Sequence, residues 1–165
     1  MTRFLIAFAC VLFISTFASG QSTVKAKDLK MLEGPKWTGT LTYLDYRSNK
    51  KTSIKSNLTV SRKSKEPPVW TFSYEYPDEP KANDSSEAIL KDGGKSFFGE
   101  TVVEKKYLPG KTLRMVTTQP GTDNNRKALF RYTYLVTSKT LSIKKEVQIE
   151  GSSDWFQRNE YSWTR

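Results

Sequence analysis

The chain has 165 residues, of which 27 are Lys or Arg and 17 are Asp or Glu, so its formal net charge is +10 at pH 7. It contains one cysteine and no histidine. The absence of histidine removes the usual general base of neutral-pH hydrolysis and the commonest transition-metal ligand. We therefore expect no catalytic residue, no metal site and no cofactor.

The first twenty residues predict a signal peptide that is removed on export. Arg3 supplies a positive charge, an apolar run extends from Phe4 to Phe13, and Ala18-Ser19-Gly20 has the small-x-small pattern of a cleavage site. The apolar run is shorter than the roughly 20 residues that a membrane-spanning helix needs. We expect residues 1–20 to be removed and the protein to be periplasmic or secreted.

The mature chain is expected to contain no cysteine, because Cys10 lies in the apolar segment. It must then fold in an oxidising compartment without disulfides, which favours a bacterial periplasm. Its length suits one domain rather than two. We divide it into a lead-in at residues 21–35, helical or extended, and one folded domain at residues 36–165.

Alternating bulky and polar residues fill the domain from residue 36 to its end. The clearest strand patterns are Trp37–Tyr43, Ile54–Val60 and Trp70–Tyr76. Further strand-like segments are separated by short turn signals, of which the longest is Pro120–Asn125. Short consecutive turns favour neighbouring strands over crossings. The predicted fold class is all-β, a single antiparallel up-and-down β-barrel of about 8–10 strands.

The stretch from Leu32 to Tyr43 resembles the first-strand signature of the lipocalin and calycin superfamily, in which Gly-x-Trp closes the barrel floor. Gly34 and Trp37 occupy these positions with one extra residue between them. The superfamily also packs a late-strand arginine across the tryptophan, and Arg165 is the nearest match, followed by Arg158. The resemblance implies a bacterial, exported lipocalin-like barrel closed by Gly34, Trp37 and Arg165. The alternative is that Trp37 is an ordinary core residue and Arg165 a frayed terminus.

Strand parity predicts which side chains point into the barrel. If Trp37 faces inward, so does every second residue of its strand, and the bulkier face of each other strand should do the same. The candidate ligand-binding residues are Tyr43, Trp70, Phe72, Tyr74, Met115, Tyr132, Tyr134, Lys145, Trp155 and Tyr161. So many aromatic side chains suit an apolar cavity with hydroxyl groups. They would equally suit a small barrel filled solid by its own side chains.

Charged side chains refine the prediction of the lumen. Arg114, Arg131 and Arg158 have the outward parity of their strands, whereas Lys145 shares the parity of an apolar row. An intact strand would therefore place an ammonium group inside the barrel, where an anionic ligand group would offset its desolvation. The alternative is a bulge at Lys144-Lys145 that turns both lysines outward.

The sequence predicts a monomeric, non-catalytic, lipocalin-like protein that binds a small hydrophobic or amphipathic molecule in its barrel. An envelope accessory domain with a filled core is one alternative, and a calycin-type isomerase or a carboxylate-based hydrolase using Glu100, Glu104 or Glu160 is another. The lysines are scattered rather than clustered with stacking aromatics, so we expect no nucleic acid partner. We expect only weak attraction to anionic envelope surfaces.

Overall fold

The computed structural model describes residues 22–45 and 48–165, so the predicted signal peptide lies outside the described residues. The described chain begins with a 3₁₀ helix, Ala26–Leu32, and three short 3₁₀ turns follow at Pro80–Ala82, Asp92–Gly94 and Pro109–Lys111. The strands are β1 (Trp37–Asp45), β2 (Lys50–Ser64), β3 (Val69–Glu75), β4 (Asp84–Lys91), β5 (Ser96–Phe97), β6 (Glu100–Leu108), β7 (Thr112–Asp123), β8 (Arg126–Val136), β9 (Thr140–Ile149) and β10 (Phe156–Thr164). No helix among these residues is long and apolar enough to cross a membrane.

The strands form one closed antiparallel barrel in which each strand pairs with its neighbours in the chain. Closure is made by β1 and β10, which pair from Thr38 with Thr164 to Tyr43 with Asn159. This confirms the predicted all-β, up-and-down barrel. The architecture is consistent with a calycin-like fold.

Alternation along the strands decides what the barrel encloses. In β2 and β3, Leu58, Val60, Trp70 and Phe72 are each at most 2% exposed, while Thr59 between them is only half-buried. Each such large apolar side chain contributes about 1.5–3 kcal/mol when it is fully buried. The resulting core occupies the barrel interior without a disulfide among the described residues.

The N-terminal 3₁₀ helix covers one end of the barrel, which we call the floor; the opposite end is the rim. Leu29 and Leu32 of this helix are buried in the core. Buried Asp28 accepts a hydrogen bond from the hydroxyl of Tyr107 at 2.9 Å and pairs with the ammonium of Lys105 at 2.9 Å, both on β6. The lead-in is therefore part of the folded unit, and it fills the floor.

The barrel wall is incomplete between β4 and β7 near the rim. β5 pairs with β4 only at Leu90 and Lys91, and β6 pairs with β7 only from Thr118 toward the floor. Among the described strands, residues 84–88 of β4 and 119–123 of β7 therefore have a neighbour on one side only. We call the space between these two segments the wall gap.

The wall gap explains an error in the sequence prediction. Pro120 was expected to begin a turn, but it lies within β7, and the turn is reduced to Asn124 and Asn125, with φ angles of 46° and 61°. Proline has no backbone N–H to donate, so strands tolerate it at a sheet edge. Because β7 is an edge at this height, the strand continues through Pro120 to Asp123.

Gly39 lies where β1 passes closest to β10. A Cβ atom at this position would lie 1.9 Å from the carbonyl oxygen of Ser162 and 2.8 Å from the Cα of Trp163. Both are backbone atoms, so the pairing that closes the barrel must shift. We expect Gly39→Ala to lower the free energy of unfolding by about 1–3 kcal/mol in denaturant titrations. The exposed neighbour variant Thr40→Ala serves as control, and an equal loss in both would contradict the argument.

Candidate ligand cavity

A cavity of about 340 Å³ opens between the core and the rim. This volume is at the small end of the roughly 300–1,000 Å³ typical of ligand sites. Side chains from β3, the β5–β6 turn and strands β6 to β10 surround it. The lining residues are Phe72, Tyr74, Phe98, Glu100, Gln119, Tyr132, Tyr134, Ile143, Lys145, Asn159 and Tyr161.

Aromatic rings form most of the cavity wall and hold one another in place. The ring centroids of Phe72 and Phe98 are 5.3 Å apart, and those of Tyr74 and Tyr161 are 5.5 Å apart. The ring of Tyr161 stacks on that of Trp163, with centroids 4.7 Å apart. The hydroxyls of Tyr161 and Tyr76 share a 2.7 Å hydrogen bond. Rings fixed in this way present a preformed apolar surface with hydroxyl groups at its edges.

Phe98 reaches the cavity from an unusual backbone position that the sequence reasoning missed. It has a φ of 60° and Gly99 has a φ of 79°, so both residues of this two-residue hairpin are left-handed. Asn-Gly is the favoured pair for such a turn, because a bulky side chain is strained there. Packing of the Phe98 ring against Phe72 and Phe97 offsets that cost. A Phe-Gly pair between two strand patterns was the signal available in the sequence.

Glu100 is the acidic group of the cavity and is only 5% exposed. Its Oε2 accepts hydrogen bonds from the hydroxyls of Tyr134, at 3.0 Å, and Thr117. Burial raises the pKa of Glu100 to about 7, although these hydrogen bonds and the charge of Lys145 act in the opposite direction. Burial, and after it the same carboxylate, raises the pKa values of Tyr132 and Tyr134.

Lys145 points into the barrel, as the parity of its strand predicts. Its ammonium lies 3.7 Å from the ring centroid of Phe130 and 5.6 Å from that of Tyr132. Burial lowers the pKa of Lys145. The alternative was a bulge at Lys144-Lys145 in β9. The bulge lies instead in the neighbouring strand β10, between Gln157 and Asn159.

That bulge in β10 reverses the parity on its two sides. Trp155, predicted to point inward, lies instead on the outer wall, where the guanidinium of Arg131 is 4.1 Å from its ring centroid. Arg158, expected to point outward, reaches the buried Asp123 at 3.5 Å and the carbonyl oxygen of Leu44 at the rim. Arg158 is the additional residue of the bulge and Trp155 precedes it, so the alternation counted back from Tyr161 does not hold for either, and both expectations were wrong.

Six of the ten candidate ligand-binding residues line the cavity: Phe72, Tyr74, Tyr132, Tyr134, Lys145 and Tyr161. Trp70 and Met115 are buried in the core, and the indole N–H of Trp70 donates to Glu33 Oε1 at 2.7 Å. Tyr43 is half-buried on β1, apart from the cavity lining. Contact with a ligand stays a prediction for all ten.

The three predicted barrel-closing residues meet at the floor. The guanidinium carbon of Arg165 lies 3.9 Å from the ring centroid of Trp37, and its nitrogens donate to the carbonyl oxygens of Glu33 and Met31, each at 2.8 Å. Gly34 has a φ of 122°, and a Cβ there would lie 3.1 Å from Arg165 Nη1. The residues from Met31 to Trp37 therefore hold the Arg165 side chain at the floor.

The three acids considered for catalysis lie on two sides of the barrel wall. Glu104 pairs with Arg114 on the outer wall, and Glu160 accepts a hydrogen bond from Ser142 there, whereas Glu100 is inside. Within residues 22–45 and 48–165, no group of three or more His, Cys, Asp or Glu side chains is placed to hold a metal ion. Glu104 and Glu160 therefore both line a groove on the outer wall, where neighbouring side chains engage each of them, while Glu100 lies apart from them in the cavity.

A larger groove of about 780 Å³ runs along the outer wall across β6 to β10. Most of its charged side chains are already in ion pairs, Glu104 with Arg114 and Glu146 with both Arg131 and Lys144, and Glu160 accepts hydrogen bonds from Ser142 and Gln157. A ligand there would displace ion pairs and remain in contact with water. The interior cavity is the better candidate site.

No protein-family model and no curated protein matches the chain. Its class therefore follows from the structure itself. It is a closed ten-strand antiparallel barrel with an aromatic cavity large enough for a small ligand.

Proposed function

We propose that this chain is an exported, monomeric, lipocalin-like protein that binds a small hydrophobic or amphipathic molecule without chemical conversion. The observation that carries the proposal is the cavity of about 340 Å³ lined by six aromatic residues. A barrel filled solid would leave no such space. The floor half of this barrel is filled, but the rim half is not.

The polar groups of the cavity favour an amphipathic ligand over a purely apolar one. Glu100, Gln119, Lys145 and Asn159 all contribute to its lining. Polar groups that are buried by a ligand without hydrogen bonds weaken its binding. A ligand with one polar end and one apolar end satisfies both kinds of surface.

Native mass spectrometry of the mature chain, purified gently from the exported fraction, tests the proposal. We expect a reproducible additional mass that is lost on denaturation. Ile143→Trp should abolish it by filling the cavity, whereas Val103→Trp, on the outer wall, should retain it; melting curves establish that both variants fold. A clean apo mass with no uptake of a fluorescent lipid probe would move the assignment to an accessory domain.

Export by residues 1–20 is part of the same proposal and is supported by their charge, apolar run and small-residue motif. We expect the exported protein to begin at Gln21. The intact mass of the protein recovered outside the cytoplasm measures this. A mass that retains the first twenty residues would contradict removal of the segment.

A weak attraction to anionic envelope surfaces is proposed for the floor. Lys27, Lys30, Arg62 and Lys65 surround a shallow surface pocket there, with only two acids, Glu33 and Glu66, among them. We expect the protein to sediment with vesicles containing anionic lipid at low salt and to be released at about 0.5 M salt, because screening shortens the reach of such charges. Sedimentation that does not depend on salt would contradict an electrostatic attraction.

A further inference from the structure

The cavity contains one acid and one amine that are not paired with each other or with another charge. Among the described residues, no basic group lies within 4 Å of the Glu100 carboxylate and no acidic group lies within 4 Å of Lys145 Nζ. Both protein hydrogen bonds to Glu100 go to Oε2, so Oε1 is left for an occupant of the cavity. Buried charges without partners are costly, and a ligand that pairs them recovers that cost.

The neighbouring ionisable side chains do not form ion pairs with Glu100 or Lys145. Among the acids, Asp123 has the largest electrostatic effect on Lys145, but the guanidinium of Arg158 already engages Asp123 at the rim. The other titratable groups beside Glu100 are the phenols of Tyr74, Tyr132 and Tyr134, which are neutral near pH 7, and burial raises their pKa values further above that pH. Glu100 and Lys145 are therefore left to pair with a molecule inside the cavity.

Resting on the proposed function, we infer that the ligand class is a small zwitterion with an aromatic or apolar body, such as an amino acid. Its ammonium binds Glu100 and its carboxylate binds Lys145. Glu100 on β6 and Lys145 on β9 line the same cavity, so one small molecule inside it can contact both groups. The faces of the surrounding phenol rings add cation–π attraction for the ammonium.

Other charge types fit less well. A ligand with only a positive charge would leave Lys145 unpaired beside it. A ligand with only a negative charge would face the Glu100 carboxylate, unless that group took up a proton. A neutral ligand would leave both charges buried without partners. The zwitterion adds no net charge and pairs both groups.

Four probes with the same phenyl group distinguish these cases: phenylalanine, 2-phenylethylamine, 3-phenylpropanoate and 2-phenylethanol. Calorimetric titration of the ligand-free mature protein at pH 8 is expected to show phenylalanine bound at least about tenfold more tightly than the other three. Equal or tighter binding of any other probe would overturn the inference. A native additional mass with no binding of any probe would overturn it too, but would leave the proposed function intact.

Variants on the two strands assign the contacts. Glu100→Gln should weaken phenylalanine binding at least about tenfold without weakening the binding of 3-phenylpropanoate. Lys145→Met should weaken phenylalanine binding without weakening the binding of 2-phenylethylamine. Glu104→Gln and Lys144→Met make the same chemical changes on the outer wall and should leave the affinity for each of these probes unchanged. Melting curves check folding. Unchanged phenylalanine affinity in folded Glu100→Gln or Lys145→Met would overturn the assignment.

Discussion

Replacement of Trp37 by alanine is expected to lower the free energy of unfolding by about 3–5 kcal/mol, the usual cost of truncating a fully buried Trp. Trp37 is 0% exposed, and its indole N–H donates to the Leu32 carbonyl oxygen at 3.0 Å. The variant would also remove the ring on which Arg165 stacks. Trp37→Ala would therefore remove a contact between the floor and Arg165, the residue that follows β10. Chemical denaturation followed by fluorescence or circular dichroism measures the loss.

Trp155→Ala is the matched control for that experiment. Trp155 lies on the outer wall and contacts Arg131 through a cation–π interaction, which at exposed sites contributes about 0.5–1 kcal/mol. We expect a loss of that order only. If Trp37→Ala were as mild as Trp155→Ala, the floor would not depend on the indole, and the role given to Gly34 and Arg165 would fall with it.

The second large effect is a pH dependence of stability that comes from Glu100. Its pKa is raised from 4.5 to about 7 by burial, so the folded state binds the proton more tightly than the unfolded state does. The stabilisation is complete below pH 4.5 and is lost as the pH rises to about 7. A shift of this size corresponds to about 3 kcal/mol. We expect Glu100→Gln to resemble the unmodified protein near pH 4.5 and to exceed its stability by about that amount near pH 8.

The outer-wall variant Glu104→Gln is the control for this pH dependence. Hydrogen bonds from Arg114 and Lys106 lower the pKa of Glu104, so its contribution has the opposite sign and is lost as the pH falls. Denaturant titrations between pH 4.5 and 8 distinguish the two variants. A Glu100→Gln curve parallel to that of the unmodified protein would show that the buried carboxyl group does not titrate in this range.

Much of the fold could be predicted because a barrel is encoded locally. Alternation on β2 and β3 places Leu58 and Phe72 inward regardless of which strand lies beside them. Short turns between successive strands leave a meander as the simplest topology. The approach of Arg165 to Trp37 was predicted from a resemblance rather than from spacing, because the two residues lie at opposite ends of the domain.

The remaining parts of the site depend on pairing between strands, which a single sequence does not display. The additional residue in β10 changes the face of Trp155 and Arg158, and nothing in the local pattern marks its position. Glu100 was considered only as a possible catalyst, because its burial depends on Thr117 and Tyr134 from other strands. Phe98 was overlooked because the residues from Ser96 to Tyr107 were interpreted as one strand, although the Phe98-Gly99 pair divides them into β5 and β6.

The short strand β5, next to the wall gap, is the least extensively paired part of the barrel wall. β5 is joined to β4 and to β6 by only two residue pairs each, so these two seams have the fewest backbone hydrogen bonds to break. Segments of low local stability open far more often than the whole domain unfolds. If a molecule binds in the cavity as proposed, local opening at these seams lets it leave past Phe98 while the floor and the β1–β10 closure stay intact. Residence time and global stability are then set by different parts of the same barrel.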